Sequence, residues 1–251
     1  MEGPGAAEAA VLLLGHGTTK GWGAVANLRR HAARLARVPG FGDVHVATLH
    51  GPGPRPPEVI RRVRRRELFV VPVTMCDGQT VGDVSALVGD GYRTRLRFCP
   101  PLGAHPDLAE LIARRTGAAA TGLGWPPEGT TVLLVAHGSS RHPASARGAH
   151  RLAALVQVRC AATRVAVAFL EQKPTLADAL VRLRGPLLVV GLFAGGGRHA
   201  TDDVDDAVAA SGRTNIVHLG AIGTDAAIAS VIAAIVHESC SPPALAMRVG
   251  E

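Results

Sequence analysis

Two stretches of the chain share one arrangement, a run of apolar residues that ends on a histidine and a glycine. The first is Val11-Leu-Leu-Leu-Gly-His16-Gly-Thr, and the second is Val132-Leu-Leu-Val-Ala-His137-Gly-Ser. The apolar residues are continuous and do not alternate with polar ones, which is typical of strands covered on both faces of a parallel sheet. The two histidines are 137 − 16 = 121 residues apart. The chain is therefore predicted to be a tandem duplication.

Three further segments repeat in the same order. Residues 44–50 correspond to 165–171, residues 79–84 to 199–204, and residues 101–107 to 218–225. His50 and Glu171 take equivalent places, because 50 − 16 and 171 − 137 are both 34. In the third pair the second copy has His199, whereas the first has Gln79, or Thr80 if the alignment slips by one. The second copy thus holds the fuller set of side chains that can bind a metal.

Each copy is predicted to contain four strands, each followed by a helix. Strands are expected near 10–15, 43–49, 68–74 and 94–99, and again near 131–136, 163–170, 186–193 and 214–219. Helices are expected near 22–37, 57–66, 81–88 and 106–116, and again near 142–158, 174–184, 200–211 and 224–237. Helical spacing places Val25, Leu28, Ala32 and Leu35 on one face, and Ala146, Ala149, Ala153 and Val156 on another. The predicted fold class is α/β, with two tandem domains that each hold a four-stranded parallel sheet flanked by helices.

The domain boundaries follow from length and from one segment rich in glycine and proline. A chain of 251 residues suits two domains of about 120 residues, each with its own interior. The stretch from Gly117 to Gly129 interrupts the repeat and is predicted to be the connection. We expect a first domain over 8–118, a linker over 119–129, a second domain over 130–239 and a tail over 240–251.

Composition favours a cytoplasmic protein. The longest apolar stretch, residues 226–236, is too short to span a bilayer, which takes about 20 residues. No basic segment precedes the first apolar run, so no secretory leader is expected. The four cysteines, Cys76, Cys99, Cys160 and Cys240, show no CxxC spacing and are expected to be reduced.

The charge balance favours anionic partners. Twenty-seven Lys and Arg against 20 Asp and Glu give a net charge of +7, which suits an acidic small molecule, a nucleic acid or a membrane surface. Several of the arginines lie in residues 61–66, which we interpret as the solvated face of a helix. Aromatic residues are only 3% of the chain, so bases have few platforms on which to stack, and no nucleic-acid recognition motif is present. We therefore expect neither a nucleic-acid nor a membrane partner.

Candidate chemistry is concentrated at the strand ends of the second copy. In an open parallel α/β sheet, ligands bind beyond the carboxyl ends of the strands, where His137, Glu171 and His199 are predicted to converge. Two imidazoles and a carboxylate suit Fe²⁺, Co²⁺, Ni²⁺ or Zn²⁺, and the same groups can accept protons. Gly138 and the run Gly195-Gly196-Gly197 would let a flat ligand approach the backbone.

Each of these residues also has a structural interpretation. A histidine at a strand end can be a hydrogen-bonded structural residue, and a glycine run can form only a turn. The remaining histidines are interpreted as surface or structural residues. These are His31, His45, His105, His142, His150, His218 and His237.

Three segments of the second copy resemble a known family. They are VLLVAHGSSRHPASA, VAVAFLE and VVGLFAGGGRHATDDV, which hold an opening His-Gly, a Phe-Leu-Glu and a glycine-rich loop that ends in histidine. They resemble the class II chelatases, the sirohydrochlorin cobaltochelatases and ferrochelatases of cobalamin and sirohaem synthesis. Because the first half is similar to the same unit in weaker form, the chain resembles the long, two-domain version of that family.

The resemblance implies a lyase that inserts Co²⁺ or Fe²⁺, or Ni²⁺, into sirohydrochlorin. It implies two domains related by a pseudo-twofold axis, with the carboxylate-rich tetrapyrrole in the cleft between them. The family's metal-binding histidines fall on His137 and His199, and its acidic residue falls on Glu171. In the first half His16 matches, and His50 stands in place of the acid. The metal is a substrate, and no tightly bound cofactor is implied.

Several further residues are assigned on the same basis. His16 is a candidate proton acceptor and, with His50, a further candidate metal ligand. Gly138, Gly196 and Gly197 are candidate contacts for the ring. Arg141 and Arg198, which lie close to the two histidines in the sequence, are candidates for holding the carboxylates of its rim.

Two other functions compete with this one. A dinucleotide-binding oxidoreductase is suggested by Gly15-His-Gly17-Thr-Thr-Lys-Gly21 after a strand. However, its spacing is GxGxxxG where GxGxxG is needed, and Glu171 follows His137 by 34 residues where about 20 are expected. A non-catalytic metal or tetrapyrrole carrier would keep the same ligands, and the sequence separates it poorly from the enzyme.

Overall fold

The structure is a computed structural model that describes residues 9–18, 22–75, 94–139, 143–162, 164–195 and 198–240, with the backbone alone at 143–145 and 198–201. The described residues form eight strands: Ala10–Gly17 (β1), Val44–His50 (β2), Glu67–Pro72 (β3), Arg95–Phe98 (β4), Thr131–Ala136 (β5), Arg164–Phe169 (β6), Leu187–Gly191 (β7) and Ile216–Ala221 (β8). They form seven α-helices: Gly23–Leu35 (α1), Pro56–Arg62 (α2), Pro106–Gly122 (α3), Pro143–Gln157 (α4), Leu176–Arg182 (α5), Arg198–Ala210 (α6) and Ile228–Cys240 (α7).

The strands make two separate sheets with the same topology. Their orders are β2-β1-β3-β4 and β6-β5-β7-β8, and the paired strands within each are parallel. The opening strand of each copy is therefore central in its sheet, with the second strand on one side and the third on the other. The predicted fold class is confirmed. The helix predicted over 81–88 lies outside the described residues, as do Gln79 and Thr80.

The continuous apolar strands are buried on both faces, as their pattern predicts. In β1, Val11 and Leu13 belong to one hydrophobic cluster, whereas Leu12 and Leu14 belong to a second on the opposite face. In β5 the side chains likewise divide between two clusters, with Val132, Leu134 and Ala136 in one and Leu133 and Val135 in the other. Each sheet is thus covered by side chains on both sides, which is how parallel sheets exclude water.

Besides the cluster that each half forms by itself on one face of its sheet, the two halves share a core, which the sequence did not predict. The largest hydrophobic cluster includes Val11 and Leu13 of β1 together with Val132 and Leu134 of β5. Helix α1 of the first half packs on α7, and α3 packs on α4. Helix α7 is apolar over most of its surface, and seven of its residues are buried, so it needs neighbours on several sides. The apolar helix faces of the two halves therefore pack against each other.

The predicted linker over 119–129 begins inside a helix. Helix α3 starts after the N-cap His105, whose ring accepts a hydrogen bond from the backbone N–H of Asp107 at 3.3 Å. It continues through residues 118–120, which are alanines, and ends only before Gly124, whose φ of +66° leaves the helical region. The non-helical connection therefore starts at Leu123, and it includes a short 3₁₀ turn at Pro127–Gly129.

The start of the last helix also differs from the prediction. Residues Ile222–Thr224 form a 3₁₀ turn, and the α-helix begins at Ile228 rather than near residue 224. The Asp225 carboxylate accepts a hydrogen bond from the backbone N–H of Ala227 at 2.9 Å, which stabilises a turn before the helix. The helix extends to Cys240, and the rest of the predicted tail lies outside the described residues. None of the described helices is both long and apolar enough to cross a bilayer.

His31 is a buried polar contact between the two halves. It lies on α1 with no exposed surface, and its Nε2 is 2.8 Å from the backbone oxygen of Gly223 in the second half. Burial is the largest cause that lowers the pKa of His31 below 6.5, and Arg34 and Arg30 lower it further. The hydrogen bond to Gly223 and the charge of Asp225 act in the opposite direction but do not outweigh burial. The folded protein therefore holds His31 in its neutral form.

We expect the protein to lose stability as the pH falls below 6.5. The unfolded chain protonates His31 near its ordinary pKa of 6.5, whereas the folded chain resists protonation, so acid favours the unfolded state. Between the two pKa values the free energy of unfolding should fall by up to about 1.4 kcal/mol per pH unit from this residue alone. Urea denaturation from pH 7.5 to pH 5 should show a shallower decline for His31→Gln than for the wild type. His150→Gln, an exposed change on α4, is the control, and equal slopes for wild type and His31→Gln would refute this prediction.

Candidate functional site

In the first half, two histidines meet at the carboxyl edge of the sheet. His16 is the next-to-last residue of β1, and His50 ends β2. Because Gly17 is the register partner of His50, the two imidazoles project from adjacent strands. Their ring centroids are 4.7 Å apart at an interplanar angle of 66°, and both residues are exposed. The sequence repeat therefore corresponds to a real pair of side chains.

The second half has an imidazole and a carboxylate at the equivalent edge. His137 directly follows β5, and Glu171 lies two residues beyond β6. Two backbone hydrogen bonds continue between the strands past their ends, from Leu170 N–H to the oxygen of Ala136 at 3.1 Å and from Glu171 N–H to the oxygen of His137 at 2.9 Å. The backbone thereby holds the two side chains side by side.

The His137–Glu171 contact is open to solvent. The Nε2 of His137 is 3.6 Å from Oε1 of Glu171, and the side chains are 52% and 62% exposed. A side-chain contact that is this exposed contributes little to stability. Because both side chains are exposed, a ligand that approaches this edge of the sheet can reach them.

The glycine after each site histidine makes a sharp turn. Gly17 has a φ of +78° and Gly138 a φ of +77°, a region that disfavours other residues. Gly138 is buried, and a Cβ placed there would lie 2.7 Å from Cγ of Gln172 and 3.0 Å from Cβ of Phe169. Contacts within the protein thus account for glycine at position 138. The predicted contact between Gly138 and a flat ligand is not needed to explain why this residue is glycine.

Gln172 is a site residue that the sequence reasoning missed. Its side-chain oxygen accepts a hydrogen bond from the backbone N–H of Ser139 at 2.8 Å. This contact joins the loop after His137 to the loop after Glu171, and it holds the two loops in register. The available sequence indication was a polar amide immediately after the candidate carboxylate.

The third strand of the second half leads to His199. Strand β7 ends at Gly191, and helix α6 begins at Arg198, so the backbone of His199 lies in the first turn of that helix. The side chains of His199 and Arg198 are outside the described part of the structure, as are Arg141, Gly196 and Gly197. Among the described side chains, no three or more His, Cys, Asp or Glu residues form a group able to hold a metal ion. The convergence of His199 with His137 and Glu171 stays a prediction.

Solved structures of other proteins share this architecture. A CbiX described as the terminal enzyme for biosynthesis of siroheme in denitrifying bacteria is 30% identical, with a TM-score of 0.74 over 92% of this chain and 100% of that one. SirB from Bacillus subtilis with Fe³⁺ is 18% identical, with a TM-score of 0.75 over 93% and 96% of the two chains. SirB from the subspecies spizizenii in complex with cobalt is 18% identical, with a TM-score of 0.71 over 94% and 97%. The molecule is therefore a two-domain α/β protein of the chelatase-like class.

Sequence comparison identifies the family. The family CbiX matches residues 10–119 and again residues 131–239, once for each copy. This chain belongs to the CbiX family, and the resemblance predicted from its motifs is confirmed. A protein of Halobacterium salinarum named as a probable sirohydrochlorin cobaltochelatase is 22% identical in an alignment of 222 positions that covers 78% of this chain and 75% of that protein.

Proposed function

We propose that this protein inserts a divalent metal ion, Co²⁺ or Fe²⁺, into sirohydrochlorin and releases two protons. The observation that supports this most directly is the exposed His137–Glu171 pair at the carboxyl edge of a parallel sheet, in a chain of the CbiX family. Such a reaction needs weak, temporary ligands for the ion and an acceptor for the pyrrole protons. An imidazole beside a carboxylate can provide both functions.

The roles we propose divide between delivery of the ion and removal of protons. The incoming ion exchanges water for the imidazoles of His137 and His199, which hold it against the ring face. Glu171 or His16 accepts the N–H protons one after the other as the ring nitrogens take the ion, and passes each to solvent. Neutral imidazole can act as ligand or as base near neutral pH, because its ordinary pKa lies close to that range.

Recognition of the substrate is proposed to depend on charge. Sirohydrochlorin has many carboxylates, and the chain has a net charge of +7. Arg141 and Arg198 are the proposed partners of the rim carboxylates, because a guanidinium can make two parallel hydrogen bonds to one carboxylate. Nothing in this donor set selects cobalt over iron, since imidazole and carboxylate bind several divalent ions in a generic order of affinity. We place the reaction in the cytoplasm, as the cysteine pattern predicts.

The proposal is tested by metallation of sirohydrochlorin under anaerobic conditions. We expect the wild-type protein to complete many turnovers with Co²⁺ or Fe²⁺, at a rate above the spontaneous reaction, followed by the absorbance of the product. Retention of one metallated ring per chain without turnover would instead indicate a carrier. A rate equal to the spontaneous one with both ions would contradict the proposed function.

Glu171→Gln is expected to slow this reaction by about tenfold, because the amide keeps the size of the side chain but loses its charge and its ability to accept a proton. The loss should be partial if another base, such as His16, takes part. His50→Gln is the matched control, since His50 is the equivalent residue of the first half. Equal effects of the two changes would argue against a special role for the carboxylate.

A further inference from the structure

Asn27 is a buried side chain of the first half that bonds to the backbone of the second half. It lies on α1 and is 1% exposed. Its amide nitrogen donates to the backbone oxygen of Ala194 at 2.7 Å and to that of Gly223 at 2.8 Å. Its side-chain oxygen accepts a hydrogen bond from Arg30 at 3.2 Å. Both N–H groups of the amide are therefore used in contacts across the two halves.

The two carbonyl groups belong to loops that pack on each other beside the candidate site. Ala194 is the third residue after β7, and His199 follows it by 199 − 194 = 5 residues. Gly223 lies in the 3₁₀ turn after β8, and its N–H donates to the backbone oxygen of Phe193 at 3.0 Å. One amide thus joins α1 to both of these loops at the start of the segment that leads to His199.

Asn27 also lies beside the glycine-rich loop. A Cβ placed at Gly195 would lie 3.7 Å from Cβ of Asn27 and 4.0 Å from Cα of Ala24. The gap between the loop and α1 at this point is therefore about the size of one methyl group. Removal of the amide would leave the buried carbonyl group of Gly223 and the partly buried one of Ala194 with fewer partners, which is unfavourable for polar groups out of reach of water.

The second copy has no polar side chain at the positions equivalent to Asn27 and His31. A shift of 121 residues places Asn27 opposite Gly148 and His31 opposite Leu152, and both of these residues are buried. Helix α4 still packs on the 3₁₀ turn Leu102–Ala104 of the first half, so the contact between the halves forms there without an amide. The Asn27 contact forms where helix α1 of the first half meets loops of the second half, and the second half is the copy with the fuller His/Glu/His set.

We propose that Asn27 is a positioning residue for His199, and that the first half thereby shapes the metal site of the second. By holding the backbone at Ala194, five residues before His199, the amide fixes the start of the segment that leads to that histidine. This inference rests on the proposed function for the metal-binding role of His199. It assigns the first half a part in the reaction even if its own His16–His50 pair is not used.

Replacement of Asn27 and of His31, one at a time, by their counterparts in the second copy tests the proposal. Asn27→Gly should speed hydrogen exchange of backbone amides in residues 192–199 by about tenfold, because the loop loses its partner. The same change should weaken Co²⁺ binding, measured without tetrapyrrole, by about tenfold, as expected when a group that orients a metal ligand is removed. The control is His31→Leu, which removes the contacts of His31 with Gly223 and with the Asn27 amide but keeps the bond from Asn27 to Ala194, and it should leave both quantities nearly unchanged.

A second experiment distinguishes a positioning role of Asn27 from a general structural role. In a His199→Ala background, Asn27→Gly should have little further effect on Co²⁺ affinity, because the ligand through which it acts is absent. Asn27→Ala, which is less costly in a helix, replaces Asn27→Gly if that variant does not fold. Unchanged exchange, an equal loss of affinity in both backgrounds, or no Co²⁺ binding by the wild type would overturn the proposal. Intact Co²⁺ binding without metallation of sirohydrochlorin would overturn only the proposed function.

Discussion

Replacement of His137 by alanine is expected to lower kcat for metal insertion by about a hundredfold or more. The imidazole of His137 is half exposed beside Glu171, and the proposed reaction uses it to hold the ion against the ring. Alanine at this position removes one of the two proposed imidazole ligands and leaves His199 and Glu171, a smaller set that binds divalent ions of this type less well. Initial rates of anaerobic metallation with Co²⁺ and with Fe²⁺, measured for the variant and the wild type, give the ratio directly.

His16→Ala is the matched control for this experiment. His16 precedes a glycine of positive φ just as His137 does, so the two substitutions alter the backbone surroundings equally. We expect a much smaller loss for His16→Ala, because the first half has His50 in place of the acid. A larger loss for His16→Ala than for His137→Ala would indicate that the metal site lies in the first half.

Gly223→Ala is expected to lower the free energy of unfolding by about 3 kcal/mol, because the added methyl group has no free volume to occupy. A Cβ at this position would lie 2.6 Å from Cα of Ala194 and in contact with the backbone oxygen of Phe193. Both neighbours are backbone, so neither can move away by a change of rotamer. Urea denaturation followed by circular dichroism measures the loss.

Two other glycines define the controls for that measurement. Gly103 is the middle residue of the 3₁₀ turn Leu102–Ala104, as Gly223 is of Ile222–Thr224. A Cβ at Gly103 would lie 2.7 Å from Cα of Met75, so Gly103→Ala should be similarly destabilising. At Gly117, within helix α3, a Cβ would meet no atom within 4 Å. Gly117→Ala should therefore raise the free energy of unfolding by about 0.5–1 kcal/mol. Equal stabilities for the Gly223 and Gly117 variants would contradict the close packing of the two loops.

The sequence predicted the pairs at the strand ends because their placement depends on local pattern and on one property of parallel sheets. Continuous apolar runs identify strands that are buried on both faces, and the residue after each run lies at the carboxyl edge. The equal intervals of 34 residues then bring His16 to His50 and His137 to Glu171. Both pairs are in contact in the structure.

The sequence did not predict the roles of Asn27 and His31. The pattern indicates only a surface or structural role for His31 and no role for Asn27, because a polar residue on an amphipathic helix usually faces water. Both are buried in the contact with Gly223. A position-by-position comparison of the copies sets Asn27 against Gly148, and this difference is the indication in the sequence that position 27 has a special role.

The sequence by itself determined the duplication, the two parallel sheets and the edge at which the candidate ligands lie. These features depend on the periodicity of apolar residues and on short-range geometry, which each copy has independently. Only the tertiary structure decided that the halves share one core and that a helix of the first half bonds to the loops of the second. Such contacts join residues 167 positions apart, and they depend on which helix faces meet when two buried surfaces pack together.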